Sequence, residues 1–206
     1  LIIGVAGGSG SGKSLFARAL ADRLKPRGVL LLSEDDYYRQ FQGPDFDPSR
    51  FDFDVPSARD HELLAEHLDR LGQGLAIARP VYSFPKHAPL KRRIPTPPAE
   101  VVIIEGLHVL HDPGVRSRLH FGVFLDVDGD IRFIRRLLRD TRERGRSVKF
   151  VTRQYLATVK PAHDLYVQPT RALADLVLRF DPTQMNEAEV LPRWLDATMA
   201  ALPSLG

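Results

Sequence analysis

The sequence predicts an α/β protein, a doubly wound parallel sheet of about five strands flanked by helices, and three observations carry this. Short apolar runs recur that are continuous rather than alternating, at Leu1–Ala6, Val29–Leu32, Val101–Ile104, Phe121–Val127 and Leu176–Phe180. Strands buried on both faces of a parallel sheet read in this way. Between the runs lie segments whose apolar residues recur at helical spacing. A glycine-rich loop joins the first run to the first of those segments.

In chain order, Leu15, Phe16, Ala19, Leu20 and Leu24 give a helix from Lys13 to Leu24, stopped by Pro26 and Gly28. The second strand runs into Ser33-Glu-Asp-Asp-Tyr-Tyr-Arg39, and a polar stretch with Gly43, Pro44 and Pro48 reads as loop. Leu63, Leu64, Leu68 and Leu71 mark a second helix, with His61 and His67 on its polar, solvent side. Leu75 to Phe84 alternates loosely, as a hairpin or edge strand does. Six prolines from Pro80 to Pro98 keep residues 75–98 extended and out of a central strand. That segment is a β-rich flap within a single domain of residues 1–206. Helices are expected from Asp130 to Arg142, from Val148 to Tyr166 and from Glu187 to Ala200, the last packing Leu191 and Trp194.

Composition excludes several classes. The 206 residues are 43% hydrophobic and 27% charged, which suits a folded core and excludes a disordered or collagen-like chain. No apolar run is long enough to span a membrane, and no secretory leader is visible. Cysteine is absent, so disulfides, thiolate chemistry and Cys-ligated zinc are excluded, and a reducing, cytoplasmic location is expected. A net charge of +3 suits a protein that handles anions and falls short of a nucleic-acid-coating composition.

The loop carries the chemistry. Gly7, Gly8, Ser9, Gly10, Ser11, Gly12, Lys13 and Ser14 satisfy G-x-x-x-x-G-K-[ST] between a buried strand and a helix. Glycines let successive backbone N–H groups turn around phosphate, and the helix N-terminus adds a favourable dipole. Lys13 supplies a charge for the β- and γ-phosphates, and Ser14 a hydroxyl for Mg²⁺. A guanine reader of the Asn-Lys-x-Asp type is missing, since Asn186 is the only asparagine. Glu105 ends the third strand, where open α/β sheets bind ligands. It is either part of that site or a strand-terminal surface acid. Of Asp35 and Asp36, adjacent at the end of strand two, one can serve as general base; a simple Asx-type turn is the alternative. Seven arginines fall between Arg132 and Arg146, five of them on one side of a helix opposite Phe133, Ile134, Leu137 and Leu138. A solvated basic face, a phosphate lid at about residues 136–150 and a nucleic-acid patch all remain open there. His108 and His111 lack a third dedicated ligand and read as loop histidines.

Taken together, the phosphate loop, Asp35-Asp-Tyr-Tyr-Arg39, Phe53-Asp-x-Pro56, Pro80-Val-Tyr-Ser-Phe84, Ile104-Glu-Gly106, Arg135-Arg-x-x-Arg-Asp140, Glu143-Arg-Gly-Arg146, Gln154-Tyr155 and Val159-Lys-Pro161 resemble, in order and spacing, the uridine–cytidine kinases of the phosphoribulokinase/uridine kinase group. The resemblance covers roughly residues 2 to 178. It implies a P-loop kinase fold and transfer of the ATP γ-phosphate to the 5′-hydroxyl of uridine or cytidine, giving UMP or CMP, with GTP as an alternative donor. It further implies Asp35 as general base, Lys13 and Arg139 as catalytic cations, and Ser14, Asp35 and Glu105 around Mg²⁺. Asp54 would accept the ribose hydroxyls, and Tyr38, Tyr82, Phe84 and His87 would line the base pocket. Arg136, Arg146 and Gln154 would contact sugar and base, and Arg139 and Arg144 would close over ATP. A homotetramer acting on a small nucleoside, without nucleic acid or membrane, is implied as well. The chain departs from the pattern at Val55, at Ala88-Pro89, and at Arg179-Phe-Asp-Pro182. Another ribosyl or sugar acceptor, and a non-catalytic nucleotide binder, are the alternative functions.

Overall fold

The computed structural model describes residues 1–41, 51–84, 86–181 and 187–203. The expected loop at Gly43, Pro44 and Pro48 lies outside them, as does Pro182.

The five apolar runs become one parallel sheet. In chain order its strands are β1 (Ile2–Gly7), β2 (Val29–Ser33), β7 (Val101–Glu105), β8 (Phe121–Asp126) and β9 (Leu176–Arg179), and their spatial order is β2-β7-β1-β8-β9. Because side chains alternate across a strand, β1 feeds two cores. Ile3 and Val5 pack with Phe16 and Leu20 of α1 (Lys13–Leu24) and with Trp194 of the C-terminal helix. Ile2 and Ala6 pack on the opposite face with Leu64 and Leu68 of α2 (His61–Gly72). Trp194 meets Phe16 edge-on at a centroid distance of 6.2 Å. Truncating a fully buried member such as Leu20 or Ile103 to alanine costs about 2–5 kcal/mol.

The sheet register places the site. Ser33 of β2 lies beside Glu105 of β7, and Glu105 beside Val5 of β1. The C-terminal ends of three neighbouring strands therefore open onto one place, beside the phosphate loop.

Residues 75–98 form two nested antiparallel ribbons rather than one hairpin. The outer pairs β3 (Ile77–Arg79) with β6 (Ile94–Thr96), and the inner pairs β4 (Tyr82–Ser83) with β5 (Ala88–Pro89). A short α3 (Pro113–Arg116), capped by Asp112, precedes β8. Helix α4 (Gly129–Arg142) is followed by α5 (Val148–Gln154). The single helix expected to Tyr166 instead widens into π-helical turns at Tyr155–Val159 and His163–Val167. Pro161 lies between them and has no N–H for the ordinary ladder, and π-bulges absorb such breaks. The last helix, α6, spans Glu187–Ala201.

One expectation about facing is overturned, and one reading left open for α4 is narrowed. His61 and His67 are buried rather than solvent-facing, because each has a polar partner inside: Glu34 Oε1 at 2.8 Å from His61 Nε2, and the Tyr37 hydroxyl at 2.9 Å from His67 Nδ1. Helix α4 turns Arg132 and Arg136 inward while Arg142 stays exposed, so the arginine side is not a wholly solvated basic face. Arg132 and Arg136 are 5% and 6% exposed, whereas Ile134 and Leu138 are 51% and 44% exposed.

Candidate active site

A cleft of about 450 Å³ runs from the phosphate loop to the inner β-ribbon. Its floor is the turn after β1. Gly10 adopts φ +83°, and a Cβ there would collide with the backbone carbonyl of Arg132, so the loop accepts only glycine against α4. Ser9, Gly10, Gly12, Lys13 and Ser14 line the cleft. Gly7, Gly8 and Ser11 do not; they shape the turn from behind, with the Ser11 N–H donating to the Gly8 carbonyl at 3.1 Å. Lys13 Nζ folds back onto the same carbonyl at 3.0 Å. Burial pushes the Lys13 ammonium below its ordinary value, against the pull of Glu105 and Asp35.

Glu105 stands across from Lys13. Its Oε1 accepts from the hydroxyls of Ser14 at 3.1 Å and Ser33 at 3.0 Å. Burial raises its pKa against the opposing charge of Lys13, so a cation beside it is favoured. Ser14, Glu105 and Asp35 offer only hard oxygen donors on one wall, which fits Mg²⁺. Among the described residues no three or more His, Asp or Glu side chains form a metal cage. Mg²⁺ needs none, since it keeps waters and substrate phosphates as ligands.

After Ser33 the chain turns through a 3₁₀ segment, Glu34–Tyr37, capped by the Ser33 hydroxyl on the Asp35 N–H at 3.3 Å. This turn sorts the acidic-aromatic cluster. Asp35 and Tyr38 line the cleft. Asp36 instead pairs with Arg79 at 2.6 Å, and Tyr37 enters the core. Beyond Asp35 the cleft is lined by Tyr38, Phe53, Tyr82, Phe84 and His87. Tyr38 and Tyr82 lie 4.9 Å apart between centroids, and Phe53 and His87 5.5 Å apart and tilted by 30°. His87 holds φ +48°, a strained value for a residue with a side chain. Asp54 is buried against this pocket, and burial raises its pKa against the charges of Arg136 and Arg59.

The fourth wall is basic. Arg136 donates to the Ser9 hydroxyl at 2.8 Å and to Gln154 Oε1 at 3.0 Å, and Arg146 reaches the same Oε1 at 3.3 Å. Arg139 and Arg144 also line the cleft, and Arg144 lies 5.6 Å over the Phe84 ring. Asp140 gathers all four guanidinia, at 3.8 Å from Arg136, 2.8 Å from Arg139, 3.5 Å from Arg144 and 3.1 Å from Arg146. Burial opposes its ionisation, but the arginines outweigh it and hold the carboxyl below its usual range.

Sequence reasoning missed Arg59, Glu34 and His108. Arg59 reaches Asp35 and Tyr38 from below, and Glu34 lies under Arg59. The His108 Nε2 sits 2.8 Å from the Asp54 carbonyl oxygen, and burial pushes this histidine down to about 3. A Cβ on Gly106 would strike the Glu34 side chain, so Glu105-Gly106 leaves room for the buried acid. The invariably charged Arg59, one residue before a helix cap, carried no signal of burial.

Comparison with known proteins supplies the context. The model of the Phosphoribulokinase / Uridine kinase family matches residues 2–186. The chain is 43% identical over 180 residues to a uridine kinase of Lactobacillus johnsonii, covering 86% of this chain and 85% of that one. It is equally 43% identical over 178 residues to a uridine kinase of Deinococcus deserti, covering 86% of each. The phosphoribulokinase from Rhodobacter spheroides superposes with a TM-score of 0.63 at 14% identity, covering 86% of this chain and 69% of that one, a likeness of fold alone. Among the described residues no helix is long and apolar enough to cross a membrane.

Proposed function

The chain belongs to the phosphoribulokinase / uridine kinase family of ATP-dependent phosphotransferases with alcohol acceptors, and on that premise we propose that it transfers the ATP γ-phosphate to the 5′-hydroxyl of uridine or cytidine. The observation that carries this reading is the shared cleft: a phosphate loop at one end, an aromatic pocket with a buried carboxylate at the other, and Asp35 between.

In this reading Lys13 neutralises charge on the β- and γ-phosphates, and Arg139 and Arg144 do the same from the lid side. Asp35 orients the 5′-hydroxyl and accepts its proton. As the O5′–phosphorus bond forms, the bond from phosphorus to the ADP oxygen breaks, and ADP leaves with that electron pair. Ser14, Asp35 and Glu105 would hold Mg²⁺, which supplies charge neutralisation on the phosphates. Asp54 accepts the ribose 2′- and 3′-hydroxyls. Tyr38, Tyr82, Phe84 and His87 enclose the base, and Arg136, Arg146 and Gln154 contact sugar and base. GTP as a second donor, residues 75–98 as an acceptor flap, residues 136–150 as a lid, cytoplasmic location and homotetramer assembly belong to the same proposal.

ADP release measured against a panel of nucleosides tests it. Uridine and cytidine should support turnover. 2′-Deoxyuridine should be poorer by roughly ten- to a hundredfold, because one oxygen of a buried carboxylate loses its partner. Equal use of uridine and 2′-deoxyuridine would remove Asp54 from its role, and ADP release indifferent to nucleosides would reject the acceptor class.

A further inference from the structure

Arg59 is 1% exposed, yet its guanidinium edges the cleft. The backbone brings it there. Tyr38 and Arg59 form an isolated antiparallel bridge, framed by the Arg39 N–H on the Ala58 carbonyl and the Asp60 N–H on the Tyr37 carbonyl. From that position Nη2 donates to Asp35 Oδ1 at 3.1 Å and to the Tyr38 hydroxyl at 2.7 Å. Nη1 donates to the Phe53 carbonyl at 3.1 Å, and the Tyr38 hydroxyl donates to that same carbonyl at 3.2 Å. The side chain also stacks on Tyr38, with Cζ 4.3 Å from the ring centroid.

The charge has a dedicated counterion. Glu34, 0% exposed, faces Nε at 3.3 Å, an ion pair without good hydrogen-bond alignment. Its other partners are His61 Nε2 at 2.8 Å and the His108 N–H at 3.1 Å. Burial alone would favour the protonated acid, but Arg59 and His61 hold Glu34 well below the usual carboxylate range.

We infer that Arg59 is a positioning residue of the acceptor site, fixing Asp35 and Tyr38 as one unit from beneath the pocket. The inference rests on the reading of Asp35 as the carboxylate facing the acceptor hydroxyl. One guanidinium nitrogen holds one oxygen of Asp35, which leaves Oδ2 for the acceptor and fixes the plane of the carboxylate. The same nitrogen fixes the tyrosine that floors the base pocket, so the base and the bound nucleoside share one reference point. Only a planar fork serves these partners together; an ammonium is a point charge and cannot. Glu34 keeps the cation buried in the absence of any ligand.

Arg59→Lys tests this, because it keeps the charge that Glu34 needs while losing the fork. A second variant, Glu34→Gln with Arg59→Met, removes both charges and leaves no buried ion unpaired. In each, kcat with uridine should fall about 10- to 100-fold, while KM for ATP stays within about twofold, since misplacement confined to the acceptor side costs that much. A kcat within threefold of wild type in either folded variant overturns the inference, as does a parallel loss of ATP affinity, which marks a general structural role. Failure of both variants to fold overturns it too, making Arg59 a folding requirement. The wild-type enzyme and Asp35→Asn are measured alongside. A wild type without nucleoside-dependent turnover, or an active Asp35→Asn, would sink the functional reading itself.

Discussion

Two clusters of arginine and carboxylate flank the cleft, and they are built with opposite stoichiometry. Beneath the aromatic pocket one cation, Arg59, serves two acids, Glu34 and Asp35. On the α4 side one acid, Asp140, serves four cations. The first cluster is closed: Arg59 and Glu34 are wholly buried and answer each other's charge. The second carries excess positive charge, and its Arg139, Arg144 and Arg146 side chains keep about a third of their surface open. Burial and the neighbouring Arg139 even push Arg144 below its ordinary value. A surplus of cations around a single anion leaves net positive charge on that wall of the cleft. A cation outnumbered by fixed acids is a scaffold. The difference separates a charge-balanced side of the cleft from a side with surplus positive charge.

Four measurements break or sharpen this contrast. The largest effect belongs to Asp35→Asn, which keeps shape but loses the proton acceptor. Turnover should fall by roughly 10²–10⁴ with little change in uridine KM, as read by a coupled ADP assay. Should Asp36→Asn be the damaging variant instead, the turn has been read one residue out of register.

Next comes Asp140→Asn on the opposite side. Without the shared anion the four guanidinia repel one another, so kcat/KM for ATP should drop about 10- to 100-fold, and uridine KM should rise with it because Arg136 and Arg146 belong to the same cluster. An unchanged ATP KM would deny the hub its role.

The third measurement is of pH. His108 is buried neutral with a pKa of about 3 against 6.5 when unfolded. Between those values the unfolded chain binds the extra proton, so stability falls as pH falls below 6.5. The contribution is about 1.4 kcal/mol per pH unit, or roughly 2 kcal/mol between pH 6.5 and 5. Urea unfolding at pH 7 and pH 5 should therefore show a shallower loss in His108→Asn than in wild type. Equal slopes would mean the histidine is protonated in the fold.

The smallest effect is Asp36→Asn. Its partner Arg79 is partly exposed, so the variant should lose at most about 1 kcal/mol in thermal unfolding and keep its kcat.

The strands were legible because a buried parallel strand announces itself as an unbroken apolar run, and the phosphate loop because its spacing follows from how backbone amides wrap an anion. Helix α4 was legible as a helix but not in its facing. Periodicity says that Arg132, Arg136 and Arg139 share a side with one another, and that Ile134 and Leu138 share another. It does not say which side meets the protein, and around an anion site the basic side goes in. His61 and His67 were misplaced for the same reason, since each is buried through a partner more than twenty residues away. Arg59 was invisible because its significance depends on Glu34 and Asp35, which only the folded turn brings beneath it.

The strand order also sets a timetable. β1, which delivers the phosphate loop, sits between β7 and β8, yet the chain must run on to Glu105 before the first neighbour exists and to Asp126 before the second. At ribosomal speeds of about 5–20 residues per second, that is roughly 5–20 s during which an apolar strand and a glycine-rich turn have no neighbouring strand to join, and roughly 6–24 s before both are present. Helix α1 can form early from local contacts, but its apolar side has nothing to cover until then. The phosphate-loop end of the cleft thus waits for strands that the chain supplies about a hundred residues later.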